Sequence, residues 1–381
     1  MILVINSGSS SLKFKVYDDR LKELAGGIVE RIGLDKPFLD FRLTGQEKQH
    51  EEFAEMADHT AALAAALGAM KLGGLAPDKI KTVGHRVVHG GEEFVAPTVI
   101  DAASLARLET YNLLAPLHNP PNLAGIKSCL VQLPQARNVA VFDTAFYRTL
   151  PPMAYLYALP RELHEKHKIR KYGFHGISHA YVVGQAAKLL KRPVKLLKLV
   201  SCHIGSGASV TAVKGGRAVD TTMGFTPLEG LTMSTRCGDI DPAIPLYLIR
   251  TLGWDAAQVD DVLNKKSGML GLTGHKDMRD VLARTAWRGT GVEQVAPEDE
   301  AERDRCRTAI DVFCYDVARY VGQFSAIMGG VDAVIFTAGV GERNKFLRDR
   351  IMGMVKLPGR PKVMVIPTDE ELMIAKEAKT R

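Results

Sequence analysis

Residues 2–5 (ILVI) form an unbroken apolar run, residues 7–11 are small and polar, and residues 13–17 (KFKVY) alternate polar with apolar. A buried strand, a tight turn and a half-buried return strand follow from that pattern, which together make a β-hairpin. The pattern recurs near residue 200, where KLVSC leads into HIGSGAS and then VTAV. Aligned on their turns, Asn6 falls on His203 and Gly8 on Gly205. The copies stand about half a chain apart, and repetition on that scale predicts a duplicated core.

Between and beyond the copies the punctuation is regular. Short strands run to about residue 45. Apolar Phe53, Met56, Leu63 and Leu67 predict a helix over 51–70, stopped by Gly73 and Gly74. KTVGHRVVHGG is a strand with His85 and Arg86 inside it, and a cation in a Val-rich strand is costly unless paired or functional. His85 and His89 are four apart on a strand, which is not a helical metal pair. Pro120 and Pro121 open a helix to about Leu133. NVAVFDT is a buried strand ending at Asp143; ligands of open α/β sheets bind beyond the carboxyl ends of strands, although a carboxylate there can also cap a helix.

A second unit begins after Pro151 and Pro152. It has Phe174 and His175 in a loop before a helix capped near Ser178, and a long Gly- and Thr-rich loop around Arg236. Asp277, Met278 and Arg279 stand at a helix entry, and a long helix spans 297–328. DAVIFTAGVGERN reads as strand, Gly turn, helix, so that Gly339 and Gly341 admit a ligand to the helix N-terminus; a lone GxG is a weak signal. A last strand precedes a helix capped by Thr368, with Glu370 and Glu371 in its first turn, where capping alone would explain both acids.

The 381 residues suffice for two domains, and 46% hydrophobic content for a sizeable core. A net charge of +7, without an arginine-rich tail or RNA-binding motif, argues against nucleic acid and is compatible with small anions. The most basic stretch is His164 to His175. No apolar run approaches the roughly 20 residues that cross a bilayer, and the N-terminus lacks a basic n-region, so no membrane association and a cytoplasmic location are expected. Five scattered cysteines without a CxxC pair point to reduced thiols. The tip of the first hairpin offers backbone N–H groups, hydroxyls and Lys13 to an oxyanion. Turns favour the same residues for conformational reasons, so the hairpin alone does not define a ligand. No Walker A, HRD/DFG, HExxH or GxSxG motif is present.

Three Gly-rich turns, two of them duplicated hairpins, suggest the nucleotide grip of the acetate and sugar kinase/Hsp70/actin superfamily. The segments NSGSSSLK, GHRVVHGGE, APLHNPPN, VFDTAF, YGFHGISH, MGFTPLEGL, GDIDP, NKKSG, FTAGVGE and VIPTDEE occur in the order of the acetokinase family, which the chain resembles over essentially its whole length. The resemblance implies an α/β fold of two ribonuclease-H-like domains with mixed sheets flanked by helices, a duplicated core and a ligand cleft between the domains. Residues 1–149, joined by a helix at about 367–381, would form one domain and residues 150–366 the nucleotide-binding one.

It also implies reversible transfer of the ATP γ-phosphoryl to acetate, giving acetyl phosphate and ADP, with Mg²⁺ (Mn²⁺ substituting), by a homodimer. Carried over by residue, Arg86 and Arg236 would hold acetate and the phosphoryl. His175 would stabilise the transition state, with His118 a second active-site histidine and Asp143 the catalytic aspartate. Ser9, Ser11 and Lys13 would lie near the phosphates, Asn6 and Glu370 at the metal. His203, Ile204, Gly205, Ser206 and Gly207 would contact phosphates, Asp277, Met278 and Arg279 the adenosine. Gly339, Val340, Gly341, Glu342 and Arg343 would complete the nucleotide loop. Val88, Leu117, Phe174 and Pro227 would form a methyl pocket. Ser206, Ser234 and Arg343 replace the family's asparagine, glycine and asparagine.

Chemistry agrees with those roles. A phosphoryl in flight spreads charge over its equatorial oxygens, so two guanidinium groups and an imidazole donor suit it. Acetate is already ionised and needs no general base, so Asp143 is expected to organise metal, water or Arg236. Two rivals are a propionate kinase of the same fold and an Hsp70- or actin-like ATPase, which would need neither paired arginines nor an acyl pocket.

Overall fold

Both hairpins form, and each is the nucleus of its own sheet. The computed structural model describes residues 1–357 and 359–381, and its contacts divide the chain into Met1–Arg148 with Asp369–Arg381, and Thr149–Thr368.

In the first unit the strands are β1 (Ile2–Ser7), β2 (Ser11–Tyr17), β3 (Glu23–Glu30), β4 (Phe38–Leu43), β5 (Gln49–Glu52), β6 (Thr82–Val87), β7 (Thr98–Val99) and β8 (Arg137–Phe142). They lie in the order β5-β4-β3-β2-β1-β6-β8-β7. Strands β1 to β5 form an antiparallel meander, whereas β6 and β8 run parallel to β1. Leu3, Ile5, Leu12 and Phe14 are buried with Leu63, Ala66 and Met70 of helix His59–Leu72 and Cys129 of helix Asn119–Gln132. Burying a side chain such as Phe14 contributes roughly 1.5–3 kcal/mol. The last helix, Glu370–Lys379, lies so close on β6 that a Cβ on Gly84 would stand 2.7 Å from Ile374 Cγ2. Glycine is required there by contact.

The helix expected over 51–70 is shorter. Gln49–Glu52 is an exposed edge strand paired with β4, and the helix starts at His59 because the Asp58 carboxylate accepts from Thr60 N (2.8 Å) and Ala61 N (2.9 Å). Met56 keeps its core place from the intervening loop.

In the second unit β9 (Lys198–Ile204), β10 (Ala208–Lys214), β11 (Arg217–Thr221), β12 (Ala333–Thr337) and β13 (Lys362–Val365) take the order β11-β10-β9-β12-β13. This repeats β3-β2-β1-β6-β8 in both order and direction: antiparallel hairpin partners on one side, parallel strands on the other. Register separates the copies. Ser7 pairs with Leu12 across the first turn, but Ile204 pairs with Ala208 across the second, which is one residue shorter. Asn6 therefore faces Lys13 across its hairpin, while His203 faces Ser209.

Three helix starts differ from expectation. The long helix is Glu300–Met328, because Asp299 accepts from Glu302 N at 2.6 Å. Helix Gly176–Leu190 begins after His175, which stands at the N-cap with φ +57°, and not near Ser178. The last helix is capped by Asp369, which accepts from Leu372 N at 3.0 Å, and not by Thr368. The glycines of AGVGER make no separate turn: helix Ala338–Arg343 follows β12 directly, Ala338 turns the corner at φ +64°, and Gly339 and Gly341 lie within the helix. No helix among the described residues is long and apolar enough to cross a membrane.

Candidate active site

In the first unit the carboxyl ends of β6 and β8 bring chemistry together. Arg86 is the penultimate residue of β6 and pairs with Val141 of β8, so Asp143, one residue past β8, comes within reach. Arg86 Nη2 and Nε both donate to Asp143 Oδ2, at 2.7 and 3.2 Å, and Arg86 Nη1 stands 3.7 Å from Glu370 Oε2. The cation that looked anomalous in a Val-rich strand is thus paired. Burial lowers the guanidinium's proton affinity, but Asp143 and Glu370 outweigh it and the net shift is upward. Asp143 engages Arg86, the first of the two arginines; as an organiser it was expected to serve metal, water or Arg236.

Lys13 joins this group through a residue the sequence did not single out for a role: its Nζ lies 2.5 Å from Glu371 Oε1. Burial would push Glu371 up, but the charge and hydrogen bond of Lys13 hold it below the usual carboxylate range. At the hairpin tip Gly8 N donates to Ser11 O (2.8 Å), and His59 Nε2 lies 2.8 Å from Gly8 O. Two asparagines brace the rest. Asn122 Oδ1 accepts from Val88 N (3.0 Å) while its Nδ2 donates to Ser7 O (2.6 Å); Asn119 Oδ1 accepts from His89 N (3.0 Å). Buried amides in a Pro-rich helix start were the available signal. Val88 is buried, whereas Leu117 is exposed and His118 half-buried at the N-cap of helix Asn119–Gln132. His85 and His89 are structural: burial lowers them to about 4 and about 3, and His85 Nε2 meets Asn138 Oδ1 at 2.8 Å.

In the second unit His175, His203, Gly207 and Arg236 converge. The imidazoles of His175 and His203 stack with centroids 4.2 Å apart. A Cβ on Gly207 would lie 3.4 Å from His175 Nε2 and 3.7 Å from Arg236 Nη1; one on Gly205 would lie 3.9 Å from His203 Nε2. The turn is a cradle with two ring nitrogens and a guanidinium around bare backbone. Arg236 donates to Pro227 O (3.2 Å), and among the described residues no carboxylate pairs with it. Burial alone lowers its proton affinity.

Ser206 and Ser234, two of the departures from the family pattern, touch: Ser206 Oγ donates to Ser234 Oγ and Ser234 N to Ser206 O, both at 3.3 Å. Phe174 is buried. Glu342 Oε1 accepts from Ala338 N (2.8 Å) and Thr368 N (3.1 Å), Gly341 packs toward Ile204, and Arg343 is exposed. Asp277 caps helix Met278–Ala283 and grips exposed Arg279 (Nη2 to Oδ2, 2.7 Å), which holds its carboxyl below the usual range. Among the described residues no hydrogen bond or ion pair links this pair to Gly205–Gly207 or Gly339–Arg343.

A repeated sheet with a polar hairpin turn in each copy defines a class: the duplicated actin-like α/β fold of the acetate and sugar kinase superfamily. The model of the acetokinase family matches residues 1–361. The acetate kinase of Caldicellulosiruptor saccharolyticus is 45% identical over 408 residues, covering 99% of this chain and 98% of that protein. The crystal structure of Porphyromonas gingivalis acetate kinase superposes with a TM-score of 0.87 at 37% identity, covering 100% of this chain and 98% of that one. A propionate kinase from Francisella tularensis superposes with a TM-score of 0.90 at 36% identity, covering 100% and 99%. The chain belongs to the acetokinase family.

Proposed function

We propose that this protein is an ATP:acetate phosphotransferase that reversibly converts ATP and acetate into ADP and acetyl phosphate. The observation that carries the reading is Arg236: a part-buried guanidinium with no carboxylate partner among the described residues, set with His175 Nε2 against the Gly205–Gly207 turn. An uncompensated cation and an imidazole beside a glycine turn that carries no side chain suit an anion, and phosphoryl transfer is mostly positioning and charge stabilisation. Arg236 and His175 serve the transferring phosphoryl. Arg86, held by Asp143, takes the carboxylate of acetate, and Asp143 itself removes no proton. Val88, Leu117, Phe174 and Pro227 are assigned to the methyl group by their apolar character, and His118 to the same substrate. Ser9, Ser11 and Lys13 serve the phosphates of the nucleotide with the Gly205–Gly207 turn; Asp277–Arg279 and Gly339–Arg343 serve its adenosine end.

The nucleotide would be bound together with Mg²⁺. No cluster of three metal-ligating His, Cys, Asp or Glu exists among the described residues, which fits an ion that takes one or two protein oxygens plus phosphates and water. Among the described residues Glu370 has only the long contact to Arg86 and the Asn6 side chain makes no hydrogen bond, and these are the donors that fit. The metal would neutralise phosphate charge. Exposed Ile244, Leu246, Tyr247, Ile249 and Leu252 on helix Ala243–Leu252 support a homodimer, checked by light scattering. Five unpaired thiols suit a reducing cytoplasm.

The test is acyl hydroxamate formation from ATP, acetate and hydroxylamine, with propionate in parallel. Failure with both acids overturns the reading. The Francisella tularensis likeness favours propionate as the second candidate; a methylene is discriminated by only about 1–3 kcal/mol, so kcat/KM ratios decide.

A further inference from the structure

His175 stabilises charge only if the nitrogen it presents carries a hydrogen. Its Nδ1 is 2.9 Å from Ser209 Oγ, and its Nε2 faces the Gly207 turn beside Arg236. Ser209 Oγ is also 2.9 Å from His179 Nε2, and His179 Nδ1 is 2.8 Å from Ser201 Oγ. Ser201, His179 and Ser209 are all fully buried.

Run in one continuous sense, the three links have two directions. A hydroxyl has one hydrogen and a neutral imidazole one N–H. Burial, then the neighbouring His203, holds His179 neutral. In one direction Ser201 O–H donates to His179 Nδ1, His179 Nε2–H donates to Ser209, and Ser209 O–H donates to His175 Nδ1. His175 then carries its hydrogen on Nε2. In the other direction every bond reverses and His175 turns a bare lone pair on the turn, where an anion would be repelled. His203 stacks on the ring with centroids 4.2 Å apart, and its own Nδ1 meets Ser178 Oγ at 2.8 Å.

We propose that Ser209 and His179 are positioning residues that hold His175 in its Nε2–H tautomer, so that a neutral imidazole donates to the transferring phosphoryl. The choice of direction rests on an anion lying at the Gly207 turn, and the catalytic half rests further on the acetate-phosphotransfer reading. Among the described residues, His179 on its own helix, His203 on β9 and Arg236 across Gly207 are ionisable groups set around His175. The hydrogen bond that defines a tautomer comes from the ring's other nitrogen.

Nitrogen-15 spectra of the full chain labelled at histidine, with His175 assigned by comparison with His175→Gln, read the tautomer directly. Hydrogen on Nε2 is expected, and hydrogen on Nδ1 overturns the proposal. Ser209→Ala should lower kcat on the order of 10- to 100-fold at alkaline pH with KM for ATP little changed. Its deficit should shrink as pH falls, because a doubly protonated ring carries hydrogen on Nε2 whatever its neighbour. Ser209→Thr, which keeps the hydroxyl, should restore the unaltered pH profile. A deficit equal at all pH values, or none, overturns the catalytic link. If Ser209→Ala does not fold, the spectrum of the unaltered protein and the Ser209→Thr profile decide. No hydroxamate from the unaltered protein would instead end the acetate reading and leave the tautomer measured.

Discussion

Arg86 is held by a single oxygen of Asp143, which accepts from both Nε and Nη2, while Nη1 points toward Glu370. The pairing fixes the plane of the guanidinium from one edge. Arg236 has no such partner among the described residues. One arginine is therefore braced by a carboxylate and the other stands as net positive charge.

Removing the brace should cost both stability and turnover. Asp143→Ala leaves a part-buried cation with only the long contact to Glu370 among the described residues, at up to about 3 kcal/mol in urea unfolding. Hydroxamate formation should fall by roughly 100-fold or more. Near-normal turnover in a folded Asp143→Ala would show that Arg86 needs no orientation.

Arg236→Ala should separate the two quantities. The residue bears an unpaired, desolvated charge, so its loss should leave the melting temperature unchanged or higher. The rate should drop about 10²- to 10³-fold, with ATP binding retained by calorimetry. A large loss of stability with normal kcat would reverse its assignment.

Glu371 makes the docking of the last helix acid-sensitive. Its carboxyl is held below the usual carboxylate range by Lys13 against the opposing effect of burial. The folded state binds its proton less readily than the unfolded one, so the contribution is full above about pH 4.5 and is lost as pH falls through the lowered folded value. Glu371→Gln should flatten that limb of the stability curve, and hydrogen exchange in residues 370–379 should report it first. An unchanged acid limb would mean the pair contributes nothing.

Ser206 and Ser234 should prove coupled. Their mutual hydrogen bonds tie the Gly205–Gly207 turn to the loop that carries Arg236. A cycle of Ser206→Ala and Ser234→Ala, read in kcat/KM for ATP, should give an interaction of about 0.5–1.5 kcal/mol. Additive effects would show two independent replacements.

The parts of this molecule written in local pattern were legible in sequence. The apolar run into a small polar turn identified both hairpins, and a strand ending at Asp143 identified where β8 stops. The duplicated fold followed from the repeat. Competition between neighbours was not legible: Asp369 and Thr368, or His175 and Ser178, differ in capping by geometry that only packing decides. The separate Gly turn did not form because Ala338 takes the positive φ and frees both glycines to enter the helix. Glu371, Asn119, Asn122 and Ser209 act through partners far away in sequence or on another strand, and no periodicity announces such pairs.

The last helix covers a strand made long before it. Gly84 of β6 is shaped to receive Ile374 and Ala378, yet all of residues 149–368 must be synthesised in between. At roughly 5–20 residues per second that interval is about 10–40 s. During it the nascent sheet lacks its lid, and Arg86 has Asp143 but neither Glu370 nor the helix that carries it. A ribosome stalled late in translation would therefore display a folded hairpin with an unsealed flank, which makes this stretch of synthesis the window in which a chaperone has something to hold.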